Sequence, residues 1–136
     1  MDYMDPQADI KFFLKNEFDL SDNEINLYLG LLEKGTATVL EMSKHLSMNR
    51  TTVHVNVEYL LQKGLVTQTT EGRGRKRLIV PEPPERFKTI IDQKKIKVLK
   101  AEEKIDAIVS SIYNVFPGVK DNVKVDVTYY EGRDEV

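Results

Sequence analysis

A run of helix start and stop signals between Ser21 and Gly64 constrains this chain more than any other feature. Ser21-Asp22-Asn23-Glu24 and Thr38-Val39-Leu40-Glu41 each set a hydroxyl three residues ahead of a glutamate. In such a box the hydroxyl accepts from the glutamate amide while the carboxylate reaches back to the hydroxyl residue's own amide, which fixes a helix start. Gly35 stands where the helix opened at Ser21 must end, at a position that favours left-handed backbone. Asn49, just after the tight connection Ser47-Met48, is a third start, and Gly64 is a second stop. Three helices fit between these marks, the last two joined by a turn of about three residues, which is the layout of a helix-turn-helix.

The apolar spacing assigns inward faces to these helices. Ile25, Tyr28, Leu29 and Leu32 form the stripe of the first; Leu40, Ser43 and Leu46, with Val39 and Met42 beside them, that of the second; Val53, Val57, Leu60 and Leu61 that of the third. Upstream, Ile10, Phe13, Leu14 and Glu17 fall at helical spacing and predict a short additional helix over 8–17.

After Gly64 the periodicity changes. Leu65-Val66-Thr67-Gln68-Thr69-Thr70 is β-branched and strand-like, Glu71-Gly72-Arg73-Gly74 is a turn with two glycines, and Arg75-Lys76-Arg77-Leu78-Ile79-Val80 reads as the returning strand of a hairpin. Pro81, Pro83 and Pro84 stop the sheet. One long helix is then expected over 85–115, because Phe87, Ile91, Lys94, Val98, Ala101, Ile105, Ile108, Ile112 and Val115 recur at alternating intervals of four and three. That is a heptad seam about 45 Å long at 1.5 Å per residue. With Ile91, Val98, Ile105 and Ile112 at one seam position and Ile108 at the other, it suits a parallel two-stranded homodimer, with Lys94 snorkelling out of the seam and Lys97 able to meet Glu102 of a second copy. Pro117-Gly118 ends the helix. Val123 to Tyr130 alternates as a strand does, and reads as the opening of an absent domain or as an edge strand seeking a neighbour.

Charge narrows the partner. The 136 residues carry a net −2. Residues 36–80, however, hold only three acids against seven bases (Lys44, Arg50, Lys63, Arg73, Arg75, Lys76 and Arg77), a local +4. A polyanion feels the local charge, since screening acts beyond about 10 Å. The hairpin tip concentrates Arg73, Arg75, Lys76 and Arg77 around its glycines, as a wing that enters a minor groove or straddles phosphates would. In a strand Arg75 and Arg77 share a face that Lys76 does not. The first turn of the helix after Asn49 carries Arg50, Thr51, Thr52 and His54. Arg50 suits guanine or phosphate, the threonines allow close approach, and Asn56 suits adenine if it faces outward.

Other classes find little support. Without Cys, and with two His nine residues apart, no metal or cofactor is expected. Glu71-Gly72-Arg73-Gly74 lacks the spacing of a phosphate-binding loop, and no nucleophile–base pair lies on one face, so the chain is not read as an enzyme. No apolar run spans a membrane, the acidic N-terminus is not a signal peptide, and a cytoplasmic location is expected.

The segment from Leu20 to Gly35, together with Met48-Asn49-Arg50-Thr51-Thr52-Val53-His54 and Leu60-Leu61-Gln62-Lys63-Gly64-Leu65-Val66, resembles the TrmB-like transcriptional regulators. The resemblance extends over roughly residues 8–133 in the order of the parts, reaching Val127-Thr128-Tyr129-Tyr130-Glu131-Gly132-Arg133. It implies a mainly α fold with a small β-hairpin: a winged helix-turn-helix followed by a long C-terminal dimerisation helix. It also implies transcription regulation through double-stranded DNA, carried over to Arg50, Thr51 and Thr52, while His54 departs from the Tyr usual in the family. Sugar sensing in the family belongs to a C-terminal domain that is essentially missing from this sequence, so no small-molecule effector is expected. The expected organisation is a DNA-binding domain over 1–83, the heptad helix over 84–116 and a tail over 117–136. A winged-helix adaptor that contacts proteins without reading DNA is the rival reading.

Overall fold

The computed structural model describes residues 5–71 and 76–122. The hairpin tip with Arg73 and Arg75, the candidate strand 123–130 and the rest of the tail lie outside the described residues. The order is α1 (Pro6–Phe18), α2 (Asp22–Lys34), α3 (Val39–Leu46), α4 (Arg50–Gln62), β1 (Val66–Glu71), β2 (Lys76–Pro81), α5 (Arg86–Val115) and α6 (Val119–Asn122). The chain divides into two units, Met1–Lys88 and Thr89–Val136.

Both capping boxes form. Ser21 Oγ accepts from the Glu24 amide at 3.1 Å and Glu24 Oε1 accepts from the Ser21 amide at 2.8 Å; Thr38 and Glu41 repeat the exchange at the same two distances. Gly35 and Gly64 follow α2 and α4 with φ of 93° and 77°, values a side chain would strain. The first helix begins earlier than its apolar spacing suggests, because Asp5 caps it and Pro6 opens it.

The core of the first unit lies among α1, α2, α3, α4 and the hairpin. Ile25, Leu27, Tyr28, Leu31, Met42, Val53, Val57, Leu60, Leu65 and Ile79 are essentially inaccessible. The expected face of α4 is therefore correct for Val53, Val57 and Leu60, with Leu61 half-buried. In α2 the stripe turns toward Leu27 and Leu31, leaving Leu29 and Leu32 half-buried. Met42 alone is buried in α3, and Leu40 is exposed. In α1 the inward residues are Leu14 and Phe18, while Ile10 and Phe13 face out.

The strands pair antiparallel, from Val66 with Pro81 to Glu71 with Lys76. A third edge, absent from the sequence reading, joins them. Ala37 and Ile79 exchange both backbone hydrogen bonds, at 3.1 and 2.7 Å, so the hairpin is fastened to the residue just ahead of the α3 cap, Thr38.

Within this unit the root of α5 is tied to the core. Phe87 packs edge-on against Phe18 and Tyr28, with ring centroids 4.7 and 5.6 Å away. Arg86 Nε donates to the Gly64 carbonyl at 3.1 Å, and the Tyr28 hydroxyl donates to the Glu82 carbonyl at 2.7 Å. Phe87, at the expected start of the seam, is half-buried against these two rings. From Ile91 on, α5 buries no residue, and Ile91, Val98, Ile105, Ile108 and Ile112 are all exposed. After Pro117-Gly118 the chain turns into the short α6.

Candidate nucleic-acid interface

The turn between α3 and α4 is pinned by its own polar groups. Ser47 adopts left-handed backbone (φ 53°), the Ser43 hydroxyl donates to the Met48 carbonyl at 2.6 Å, and the Met48 amide donates to the Ser43 carbonyl at 2.9 Å. Asn49 then caps α4, its Oδ1 accepting from the Thr51 amide at 2.7 Å. Together with the Ala37–Ile79 bridge, this turn sets the start of α4 beside the hairpin.

Between them lies an open cleft of about 750 Å³. Arg50 and His54 border it from α4, Lys76 and Arg77 from β2, Gln68 from β1, and Thr38, Leu40 and Glu41 from the start of α3. A neighbouring recess of about 530 Å³ is bordered by Val39, Arg50, Thr51 and His54. Four residues singled out in the sequence, Arg50, His54, Lys76 and Arg77, therefore meet on one concave surface, with Thr51 next to it.

The remaining candidates are distributed differently. Asn49 is exposed with its carbonyl oxygen engaged in the cap. Thr52 is half-buried and borders neither hollow; its carbonyl accepts from Asn56 Nδ2 at 2.7 Å. Asn56 is only 6% exposed, so its amide supports α4 from the inside and is not an adenine reader. The seam residues of α5 belong to the other unit.

The electrostatics of the cleft are mixed. Arg50, Lys76 and Arg77 face two carboxylates, Glu41 and Glu71. The Thr38 amide holds the Glu41 carboxyl below the usual carboxylate range against a smaller desolvation effect, helped by the Thr38 hydroxyl, Lys34 and Lys76. Its charge is thus committed to the cap of α3. Lys63, counted with the basic segment, lies elsewhere: its ammonium donates to Glu24 Oε2 at 2.8 Å and to the Asp19 carbonyl at 3.0 Å. Gln68 is not among the candidates the sequence singles out, and Leu40, expected on the inward face of α3, borders the cleft instead. Strand register would have found Gln68, because pairing Glu71 with Lys76 sets Gln68 opposite the inward Ile79.

Three helices, a tight turn before the third, and a hairpin fastened alongside define a winged helix-turn-helix. Comparison with known proteins identifies which kind. The family model "Sugar-specific transcriptional regulator TrmB" matches residues 14–90, more than half of the chain, and the protein belongs to that family of transcriptional regulators. TrmBL2, an archaeal chromatin protein whose structure was described as showing a novel mode of DNA binding, is similar in fold: TM-score 0.67 at 16% identity, covering 88% of this chain and 47% of that one. A protein of Methanosarcina mazei Go1 described as a possible transcriptional regulator matches with TM-score 0.55 at 18% identity over 70% of this chain and 86% of its own. A protein of the archaeon Sulfolobus tokodaii matches with TM-score 0.50 at 16% identity, over 75% and 96%. No curated protein matches in sequence. Among the described residues no helix is long and apolar enough to cross a membrane.

Proposed function

We propose that the protein is a sequence-specific, double-stranded-DNA-binding regulator that acts as a homodimer in the cytoplasm. The first turns of α4 enter the major groove, and the wing, with Lys76, Arg77 and the neighbouring Arg73 and Arg75, holds phosphate or the minor groove. The observation that carries this reading is the shared cleft: cationic side chains from the start of α4 and from the wing border one open surface. A helix and a flanking basic hairpin on one face match the two grooves of a duplex. In this reading residues 1–83 bind DNA, and residues 84–116 pair with a second copy along Ile91, Val98, Ile105, Ile108 and Ile112.

The pairing is supported by what α5 leaves uncovered. Thirty residues of helix carry no buried side chain, and in proteins most helical stability comes from packing an amphipathic face. An exposed apolar seam of this length, interrupted at Lys94, fits an association surface. Twofold pairing would set two reading heads on half-sites about one DNA turn apart.

Electrophoretic retention of random duplex at low salt is the test. Retention should fall steeply with salt, since each neutralised phosphate contributes a slope of about 0.9. The double variant Lys76→Ala/Arg77→Ala should lower that slope by about 2. Salt-insensitive behaviour, or no retention at all, would instead favour the protein-binding adaptor.

A further inference from the structure

Resting on the DNA-binding reading, we infer that Val55 is a specificity residue that contacts the 5-methyl group of a thymine in the major groove. In α4 the inward residues are Val53, Asn56, Val57 and Leu60. Two residues beyond Val53 is about 200° further round the helix, so Val55 stands nearly opposite the core and is 40% exposed. Thr51, also exposed, sits one turn before it on the same crest. Arg50 and His54, which border the cleft, flank that crest on the wing side.

A lone exposed valine is ordinary on a protein surface, but this one occupies an unusual place. A β-branched residue gains nothing for a solvated helix position, where Ala, Glu or Lys would propagate the helix better. The crest it shares with Thr51 belongs to the first two turns of α4, the part that a helix-turn-helix presents to base edges. One turn after Val55 the same crest carries Tyr59, 48% exposed, and the acidic Glu58, which phosphates would repel, stands beside it. In the first two turns of α4, the part presented to base edges, Arg50, Thr51 and His54 are polar and Val55 is the one exposed aliphatic side chain. Among base edges in the major groove, the thymine methyl is the apolar feature a valine can match.

The experiment starts from duplexes that the full-length protein selects from a random pool. Each thymine of the selected site is replaced in turn by uracil, which removes the methyl and leaves every hydrogen-bonding group. Uracil at one thymine per half-site should weaken binding by about three- to tenfold, the scale of one buried methyl. The same substitution should leave Val55→Ala unaffected. Ala is a better helix former than Val, and circular dichroism of the variant checks that α4 is intact. Indifference to uracil at every position, or a selected site without thymine, overturns the inference while the DNA-binding reading stands. Equal sensitivity in Val55→Ala overturns the assignment to Val55. Failure to select any duplex overturns the inference together with the reading beneath it.

Discussion

The two units use the same residue types in opposite ways. In Met1–Lys88, Ile, Leu and Val from distant parts of the sequence bury one another, and Ile25, Leu31, Val57 and Ile79 have lost nearly all contact with water. At about 25 cal/mol per Å² of apolar surface, that burial stabilises the unit from within. In α5, Val98, Ile105 and Ile112 remain between 44 and 58% exposed. Their hydrophobic stabilisation is available only when another surface covers them. One region covers most of its large apolar side chains with its own chain, whereas the other leaves its apolar seam uncovered.

The sharpest way to break this contrast is Ile105→Asp. If a second copy covers the seam, the substitution sets two carboxylates into a dry interface and costs about 3 kcal/mol or more, roughly 100-fold in dissociation constant. Sedimentation should then record a monomer, while the melting of the winged unit, which contains none of the altered surface, stays in place. A dimer that persists unaltered would mean that the seam is not the interface.

This contrast also marks what could be read in the sequence. Capping boxes, the Asn49 cap and the two terminating glycines are local devices, each complete within five residues, and all are found in the structure. The inner face of α2 was harder, because Leu27, Leu29, Leu31 and Leu32 make the stretch apolar nearly all round and periodicity alone does not choose. Phe87 fits the heptad spacing perfectly well, yet it also packs edge-on against Phe18 and Tyr28, more than fifty residues upstream. The Ala37–Ile79 bridge is similarly non-local, and with it the closeness of wing and α4. Residue types at the candidate site were legible; which of them share a surface was not. Asn56 is a different case: three residues after Val53 and four before Leu60, it falls on the inward face by helical spacing alone, and its amide is spent on the Thr52 carbonyl.

Within the self-folded unit, the pair Lys63 and Glu24 offers a second, smaller test. The Glu24 side chain is 5% exposed and that of Lys63 35%. Burial is the largest single influence on the Glu24 carboxyl and pushes its pKa up. The Lys63 hydrogen bond, the Ser21 amide and hydroxyl, and the Lys63 charge together outweigh it, so the net shift is downward. A carboxyl with a lowered folded-state pKa contributes stability that is present above its unfolded value and lost as pH falls through the folded one. Lys63→Met should cost about 1.5–3 kcal/mol, the range for a hydrogen bond to a charged group. It should also move the acid limb of the stability curve to higher pH, because burial then acts with less opposition. Urea titrations from pH 3 to 7 measure both. An unchanged acid limb would mean that Lys63 is dispensable to Glu24.

The smallest effect concerns the seat of α5 in the winged unit, where Tyr28 bonds the Glu82 carbonyl. Burial, and after it the charges of Glu82 and Glu85, push the phenol up to about 12 from an ordinary 10. Between those two values the folded protein keeps a proton that the unfolded chain releases, so stability falls as pH rises through the window; the contribution is complete below pH 10 and gone above 12. Tyr28→Phe keeps the ring against Phe87 and removes only the hydroxyl. It should lower stability at neutral pH by about 1 kcal/mol and flatten the decline between pH 10 and 12. Because Glu82 precedes α5, the same variant asks whether the self-folded region extends to the helix root: amide exchange at Arg86 and Phe87 should quicken while exchange at Ile105 is unmoved. Equal acceleration at both places would mean that the two regions share one opening transition and that the contrast between them is one of burial alone.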